Sequence, residues 1–150
     1  MIEMENSVVD RLRTMVGKHF SNSPSHFGRW FNGVLLEVNK GSLLFSFVVR
    51  EDMTNPIGTL HGGATAAIID DLIGLTAATL GHENFYVTIN LSIDYLSGAK
   101  VGDTIFAHSN TLREGKNISN IECTVKHSDG KIIAKGSSNM IKTEIKKSNA

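Results

Sequence analysis

The sequence predicts an α+β fold, in which a curled antiparallel sheet wraps around one long central helix and a further helix stands at the N-terminus. Three observations predict it. Residues 62–80, GGATAAIIDDLIGLTAATL, form a mostly apolar run rich in Ala and Leu and too long for a strand. Strand-like runs lie on both sides of it, two before and four after. No internal repeat, low-complexity tract or long linker interrupts them. A chain of 150 residues is expected to be one domain, divided into an N-terminal helix and loop (1–32), a core (33–142) and a polar tail (143–150).

In chain order, the first 20 residues read as a helix with Val9, Leu12, Val16 and Phe20 as its apolar stripe. Residues 21–33, SNSPSHFGRWFNG, read as a loop anchored by Phe27, Trp30 and Phe31. Residues 34–50 read as a hairpin turning at Asn39-Lys40-Gly41, with Leu43, Phe45, Phe47 and Val49 on one face. The long helix follows, with Gly81 as its natural stop. Its small side chains imply close packing against something flat, such as a sheet. The run 87–95 alternates without a fault. Val87, Ile89, Leu91, Ile93 and Tyr95 are expected on the core face, and Thr88, Asn90, Ser92 and Asp94 on the other, toward water, a partner chain or a ligand. Runs at 103–112, 118–127 and 131–142 complete a four-strand meander, with Asp129-Gly130 as a hairpin turn. The terminal IKKSNA is expected to fray.

Composition excludes several classes. With 15 Lys+Arg against 15 Asp+Glu there is no basic excess for nucleic acid. The single Cys123 rules out a disulfide scaffold, and between Ile121 and Val125 it reads as a small buried hydrophobe. No run of about 18 apolar residues exists to cross a membrane. The acidic N-terminus lacks the layout of a secretory signal, so the expected compartment is the cytoplasm. No phosphate-binding GxxxxGK[ST], no GxGxxG and no GxSxG occurs. His82-Glu83 does not complete a zinc motif, because residue 86 is Tyr, and the six His are scattered. Ser97-Gly-Ala-Lys100 lacks the companion motifs of the serine acyl-enzymes it would belong to. No metal and no organic cofactor is expected.

One stretch carries chemistry: Asn55-Pro-Ile-Gly-Thr-Leu-His61-Gly62-Gly63-Ala-Thr-Ala-Ala-Ile-Ile-Asp70-Asp71. Pro56 forces Asn55 into an extended conformation. Gly62 and Gly63 open the helix without side chains. A ligand can therefore reach its first free N–H groups, at the positive end of the helix dipole, where an oxyanion is stabilised. Asp70 stands two turns in, among apolar neighbours, where a carboxylate is costly unless paired or lining a cavity. Bland readings stand beside these: Gly62-Gly63 as a plain turn, His61 as a cap, Asp70 as an exposed polar position.

The segment NPIGTLHGG, followed by Asp70 nine residues after His61, resembles the hotdog-fold thioesterases. The likeness is to the phenylacetate-pathway (PaaI-like) type and to the mammalian acyl-CoA thioesterase relatives called thioesterase superfamily members. It extends through YVTINLSIDYLSGAK and covers roughly residues 33–142. The resemblance implies Asp70 as nucleophile or general base, and Gly62 N–H as the group polarising a thioester carbonyl. It implies Asn55 as a second oxyanion or water-orienting group and His61 as a positioning group. Thr88 matches a hydroxyl position near the carboxylate, although strict alternation turns it away from the helix. Gly63 and Asp71 are candidate substrate contacts, and Asp71 leaves open which carboxylate acts.

Spacing adds a constraint. Gly62 and Asp70 lie ~12 Å apart along a helix, too far for one carbonyl to meet both in one chain. A shared site requires two antiparallel copies of the helix, so a homodimer is expected; the resemblance implies a homotetramer of two dimers. The expected reaction is hydrolysis of an acyl-CoA to free acid and CoA. Lys100, Arg113, Lys116, Lys126 and Lys135 are candidates to meet the CoA phosphates. The rival readings are a non-catalytic acyl-CoA or lipid sensor and a dehydratase or hydratase on the same fold. The acyl group depends on which of residues 8–31 and 73–80 line the pocket.

Overall fold

The computed structural model describes residues 7–149. Helices α1 (Ser7–Arg13) and α2 (His26–Phe31) precede a hairpin of β1 (Val34–Asn39) and β2 (Ser42–Val48). Helix α3 (Gly62–Ala78) follows, then β3 (Asn84–Tyr95), β4 (Thr104–Glu114), β5 (Ile118–His127) and β6 (Ile132–Lys146). The strands form one sheet in the order β1-β2-β4-β5-β6-β3, and every pairing is antiparallel. The sheet curls around α3, which is the hotdog arrangement.

The core forms where α3 meets the sheet. Ile68, Ile69, Leu72 and Ile73 are buried against strands carrying Phe45, Ile105, Ala107, Ile121, Cys123 and Val125. Close approach depends on Gly136 of β6. A Cβ there would lie 2.8 Å from Ile69 Cγ2, closer than packed carbons tolerate. Two polar contacts cross this interface: Thr76 bonds the Leu72 carbonyl and the Ser109 hydroxyl, and Gly41 N–H donates to Thr79 Oγ1 at 2.8 Å. The latter ties the end of α3 to the β1–β2 turn. The helix ends at Ala78 with Thr79 as its C-cap, and Gly81, at φ +83°, turns the chain two residues past that cap rather than stopping the helix itself.

Five further expectations are corrected. The N-terminal helix is short, and the first six residues of the expected span lie outside the described residues. Val9 and Leu12 are buried on α1 and Phe20 is buried beyond it, but Val16 is 42% exposed because the chain turns after Arg13. The aromatic loop contains α2, six residues capped at both ends: Gly28 N–H donates to Ser25 Oγ, and Asn32 takes the left-handed conformation (φ 49°). Six residues hold too little periodicity to read in advance.

The meander has three strands rather than four. β3 crosses to the far edge and pairs with β6, while β4 takes its place beside β2. The polar end continues β6 to Lys146, and Lys147 N–H donates to the Glu83 carbonyl at 2.9 Å.

Finally, β3 does not alternate throughout. Its register against β6 steps from Thr88–Met140 to Asn90–Asn139, leaving Ile89 as the extra residue of a β-bulge. Tyr86 before the bulge, and Leu91 and Ile93 after it, pack on the core, whereas Val87 and Ile89 are about half exposed. Three asparagines pin the step. Asn139 donates to Asn90 Oδ1 from both its backbone N–H (3.0 Å) and its side chain (3.1 Å), and Asn120 Nδ2 donates to Asn139 Oδ1 at 2.9 Å.

Candidate active site

The site is built on the N-terminal half of α3. His61 is its N-cap, and the His61 Nδ1 accepts from Gly63 N–H at 2.8 Å. Accepting at Nδ1 requires that nitrogen to be unprotonated. The carbonyl of the same Gly62–Gly63 peptide accepts from the Tyr95 hydroxyl at 2.9 Å. One peptide plane is thus held at both ends. The Gly62 N–H belongs to the preceding peptide and has no acceptor among the described residues. It is a free donor at the helix terminus, with the Tyr95 ring beside it: a Cβ on Gly62 would lie 3.5 Å from Tyr95 Cε1.

Asp70 and Asp71 turn to different elements. Asp70 is exposed, and its Oδ1 accepts from the Thr88 hydroxyl at 3.0 Å. The bulge at Ile89 is what brings Thr88 to the helix side, which corrects the strict alternation. Asp71 faces α2, where Gly28 leaves room: a Cβ on Gly28 would lie 2.9 Å from Asp71 Oδ2. Burial raises the Asp71 carboxyl above the usual carboxylate value, the Ser25 hydroxyl opposes this by hydrogen bonding, and the Asp70 charge adds to it. Asp71 therefore serves the α2–α3 contact.

Asn55 is engaged within its own loop. Its Oδ1 accepts from Ile57 N–H (3.2 Å) and Thr59 N–H (3.1 Å), and its Nδ2 donates to Thr59 Oγ1 at 2.8 Å. One amide hydrogen is left for a ligand. The loop is fastened to the β3–β4 connection by the Thr59–Lys100 bridge and by Leu60 N–H donating to Ala99 O. Of the basic candidates, Lys100 thus lies against the Asn55 loop, whereas Arg113 and Lys116 lie at the β4–β5 turn. Burial pushes the Cys123 thiol up to about 12, with Glu122 adding to it, so it stays neutral and away from chemistry.

Beside Gly62 lies a cavity of about 270 Å³, lined by Phe27 and Trp30 of α2, by Asp52, Met53, Thr54 and His61, and by Gly63, Ala64 and Ala67 of α3. Of the two ranges between which the sequence left the lining open, 8–31 contributes Phe27 and Trp30 to this cavity and 73–80 contributes nothing. Tyr95 and this aromatic wall were not singled out as site residues in advance. For Tyr95 a signal existed: a phenol on the inward face of a strand needs a hydrogen-bond partner.

Among the described residues no group of three or more His, Cys, Asp or Glu is placed to hold a metal, and no helix is long and apolar enough to cross a membrane.

Comparison with known proteins gives the family and the fold. The model of the Thioesterase superfamily matches residues 57–134. Acyl-coenzyme A thioesterase 13 of Homo sapiens is 33% identical over 104 residues, which are 68% of this chain and 74% of the human protein. The crystal structure of zebra fish thioesterase superfamily member 2 superposes with a TM-score of 0.71 at 28% identity, covering 91% of this chain and 96% of that one. The E. coli PaaI protein, from the phenylacetic acid degradation operon, has the same fold, with a TM-score of 0.76 at 16% identity over 82% of this chain and 88% of its own.

Proposed function

The chain belongs to the thioesterase superfamily, and on that premise we propose that it hydrolyses acyl-CoA thioesters to a free acid and CoA, at sites shared between two copies of the chain. The observation that carries this reading is the pairing of a free Gly62 N–H with the Thr88-bound carboxylate of Asp70 two turns along the same helix. Gly62 of one copy polarises the thioester carbonyl, and Asp70 of the other acts on the carbonyl carbon or on water. His61 and Tyr95 hold the terminus in position, and Asn55 shapes the loop beside it.

Two features favour a second copy. β3 is a 12-residue edge strand whose outer side pairs with nothing among the described residues. The outward face of α3 around Asp70 carries Gly63, Ala67, Gly74 and Ala78, with no side chain larger than a methyl, so another helix can approach closely. The dimer pairs these faces, and a tetramer of two dimers is the proposed assembly.

In the general-base route, Asp70 takes a proton from water, the resulting hydroxide adds to the carbonyl carbon, and the C–S bond breaks to release CoA thiolate. The thiolate then takes a proton to leave as thiol. In the nucleophilic route, Asp70 itself adds, CoA leaves, and water hydrolyses the acyl–aspartyl anhydride. Label found in Asp70 after single turnover in H₂¹⁸O establishes the second route, since it enters only when water attacks the aspartyl carbon of the anhydride.

The deciding experiment is thiol release from a panel of acyl-CoAs, wild type beside Asp70→Asn. Turnover that falls by about 100-fold or more in the folded variant is expected. No release from any acyl-CoA, with binding retained, would replace this reading with a sensor.

A further inference from the structure

A second cavity, of about 460 Å³, lies between the start of α1, the α3–β3 turn at Gly81-His82-Glu83 and the end of β6 at Lys146-Lys147-Ser148. α3 spans 17 residues, so this cavity stands about 25 Å along the helix from Gly62, at its opposite end. The lining holds an uncompensated charge. Lys147 Nζ is buried and has no hydrogen-bond partner among the described residues. A polar group left in that state is costly, and an ammonium more so. Neither acid of this region relieves it. Glu83 Oε2 lies 3.8 Å from Lys146 Nζ, and Glu114 Oε1 accepts from His82 Nε2 at 2.8 Å. Burial pushes the Lys147 amine below the usual lysine range, and the charge of Arg11 on α1 pushes it further. The backbone around it is fixed, because Lys147 N–H donates to the Glu83 carbonyl at 2.9 Å.

We propose that this cavity is a second small-molecule site, which takes a small organic carboxylate with its head on Lys147 Nζ and its short apolar body along Val8 and the backbone of Gly81. The volume is that of a small-ligand pocket rather than of a bare ion. Ser7 and Ser148 bring hydroxyl donors to the same lining. One negative charge matches the one unpartnered ammonium. A phosphate dianion would set a second charge against the Glu83 carboxylate, which is 82% exposed at the rim. An acid of this class is what thioester hydrolysis releases, but the site stands without that reaction.

The probe is hexanoate, titrated into the full chain near neutral pH at fixed ionic strength. Binding is followed by the backbone amide shifts of His82, Glu83 and Lys147. Saturable shifts centred on these residues are expected, with a Kd of about 1 mM. Lys147→Met removes the charge and keeps an unbranched side chain. It is expected to weaken binding about tenfold or more, and Lys147→Arg to retain it within about threefold. Thiol release should be the same in both as in the wild type. Arg11→Gln, an exposed change on α1, is expected to weaken binding severalfold and serves as the test should Lys147→Met fail to fold.

Hexanoate shifts that keep their full size and midpoint in Lys147→Met and Arg11→Gln overturn the site. So does the lack of a saturable shift at His82, Glu83 and Lys147 up to about 50 mM hexanoate. Inorganic phosphate binding as tightly as hexanoate overturns the choice of a carboxylate.

Discussion

The Tyr95 hydroxyl donates to the carbonyl of Gly62, 33 residues earlier in the chain, at 2.9 Å. It grips the peptide whose N–H is already held by the His61 ring. The strand β3 thereby sets the orientation of the α3 terminus, and the donor left over is the one that faces a substrate.

Removing that grip is expected to loosen the terminus without unfolding it. Tyr95→Phe keeps the ring against Gly62 and deletes one hydrogen bond, worth about 1 kcal/mol. We expect kcat to fall several-fold with KM little changed and a Tm within a few degrees of wild type. A fall in KM-dependent terms alone would show that the hydroxyl serves binding instead.

The shared site makes a sharper prediction. Gly62→Pro deletes the free N–H at the one helical position where proline is welcome, after a His61 that is already extended at ψ 137°. It is expected to fold and to lose about 100- to 1,000-fold in rate. Mixing it with Asp70→Asn, after dissociating and re-forming the oligomers, should restore turnover, because each mixed dimer holds one intact site. If the mixture stays as inactive as its components, the two groups act within one chain.

Thr88→Val removes the donor to Asp70 Oδ1 at nearly constant volume. A loss of about tenfold in kcat is expected, the rate equivalent of one charge-assisted hydrogen bond, with recovery in Thr88→Ser. Full activity in Thr88→Val with a loss in Thr88→Ser would mean that the methyl, rather than the hydroxyl, matters.

Asp71 is predicted to behave oppositely to its neighbour. Because burial raises its carboxyl in the folded chain, the folded state holds the proton more tightly than the unfolded one. Its contribution to stability therefore declines as pH rises from the ordinary value of 3.8 through the raised value, and stays low above it. Asp71→Asn should raise Tm at pH 7, lose that advantage in acid, and leave turnover largely intact. Thermal melts across pH, with thiol release measured at each, check all three.

Much of this was legible in advance where a physical rule operates locally. The long helix was readable from its length and composition, the β1–β2 hairpin from its alternating apolar face, and the Asn55–Asp70 segment from its spacing. What escaped depends on partners distant in sequence. α2 is stable because Arg50 and Asp71 hold it, and neither residue announces that in its own neighbourhood. β3 reached the far edge because β4 pairs with β2, a choice among strands of similar character. Thr88 is the instructive case. Alternation turned it outward and resemblance turned it inward, and the difference is one unpaired residue, Ile89, pinned by asparagines on β3, β5 and β6.

That extra residue divides β3 into two halves of opposite parity. Upstream of it, inward side chains carry even numbers, as at Tyr86 and Thr88; downstream they carry odd numbers, as at Leu91, Ile93 and Tyr95. The tolerance of the strand to substitution should change phase at Ile89, with no single hydrophobic period describing both sides. A deletion at that position would remove the extra residue and leave Thr88–Met140 directly beside Asn90–Asn139, so one plain alternation would run through both halves with Tyr86 and Thr88 still inward. Each half is thus set by its own contact with α3, Thr88 to Asp70 upstream and Tyr95 to Gly62 downstream, and the bulge is what lets a strand of this length satisfy both.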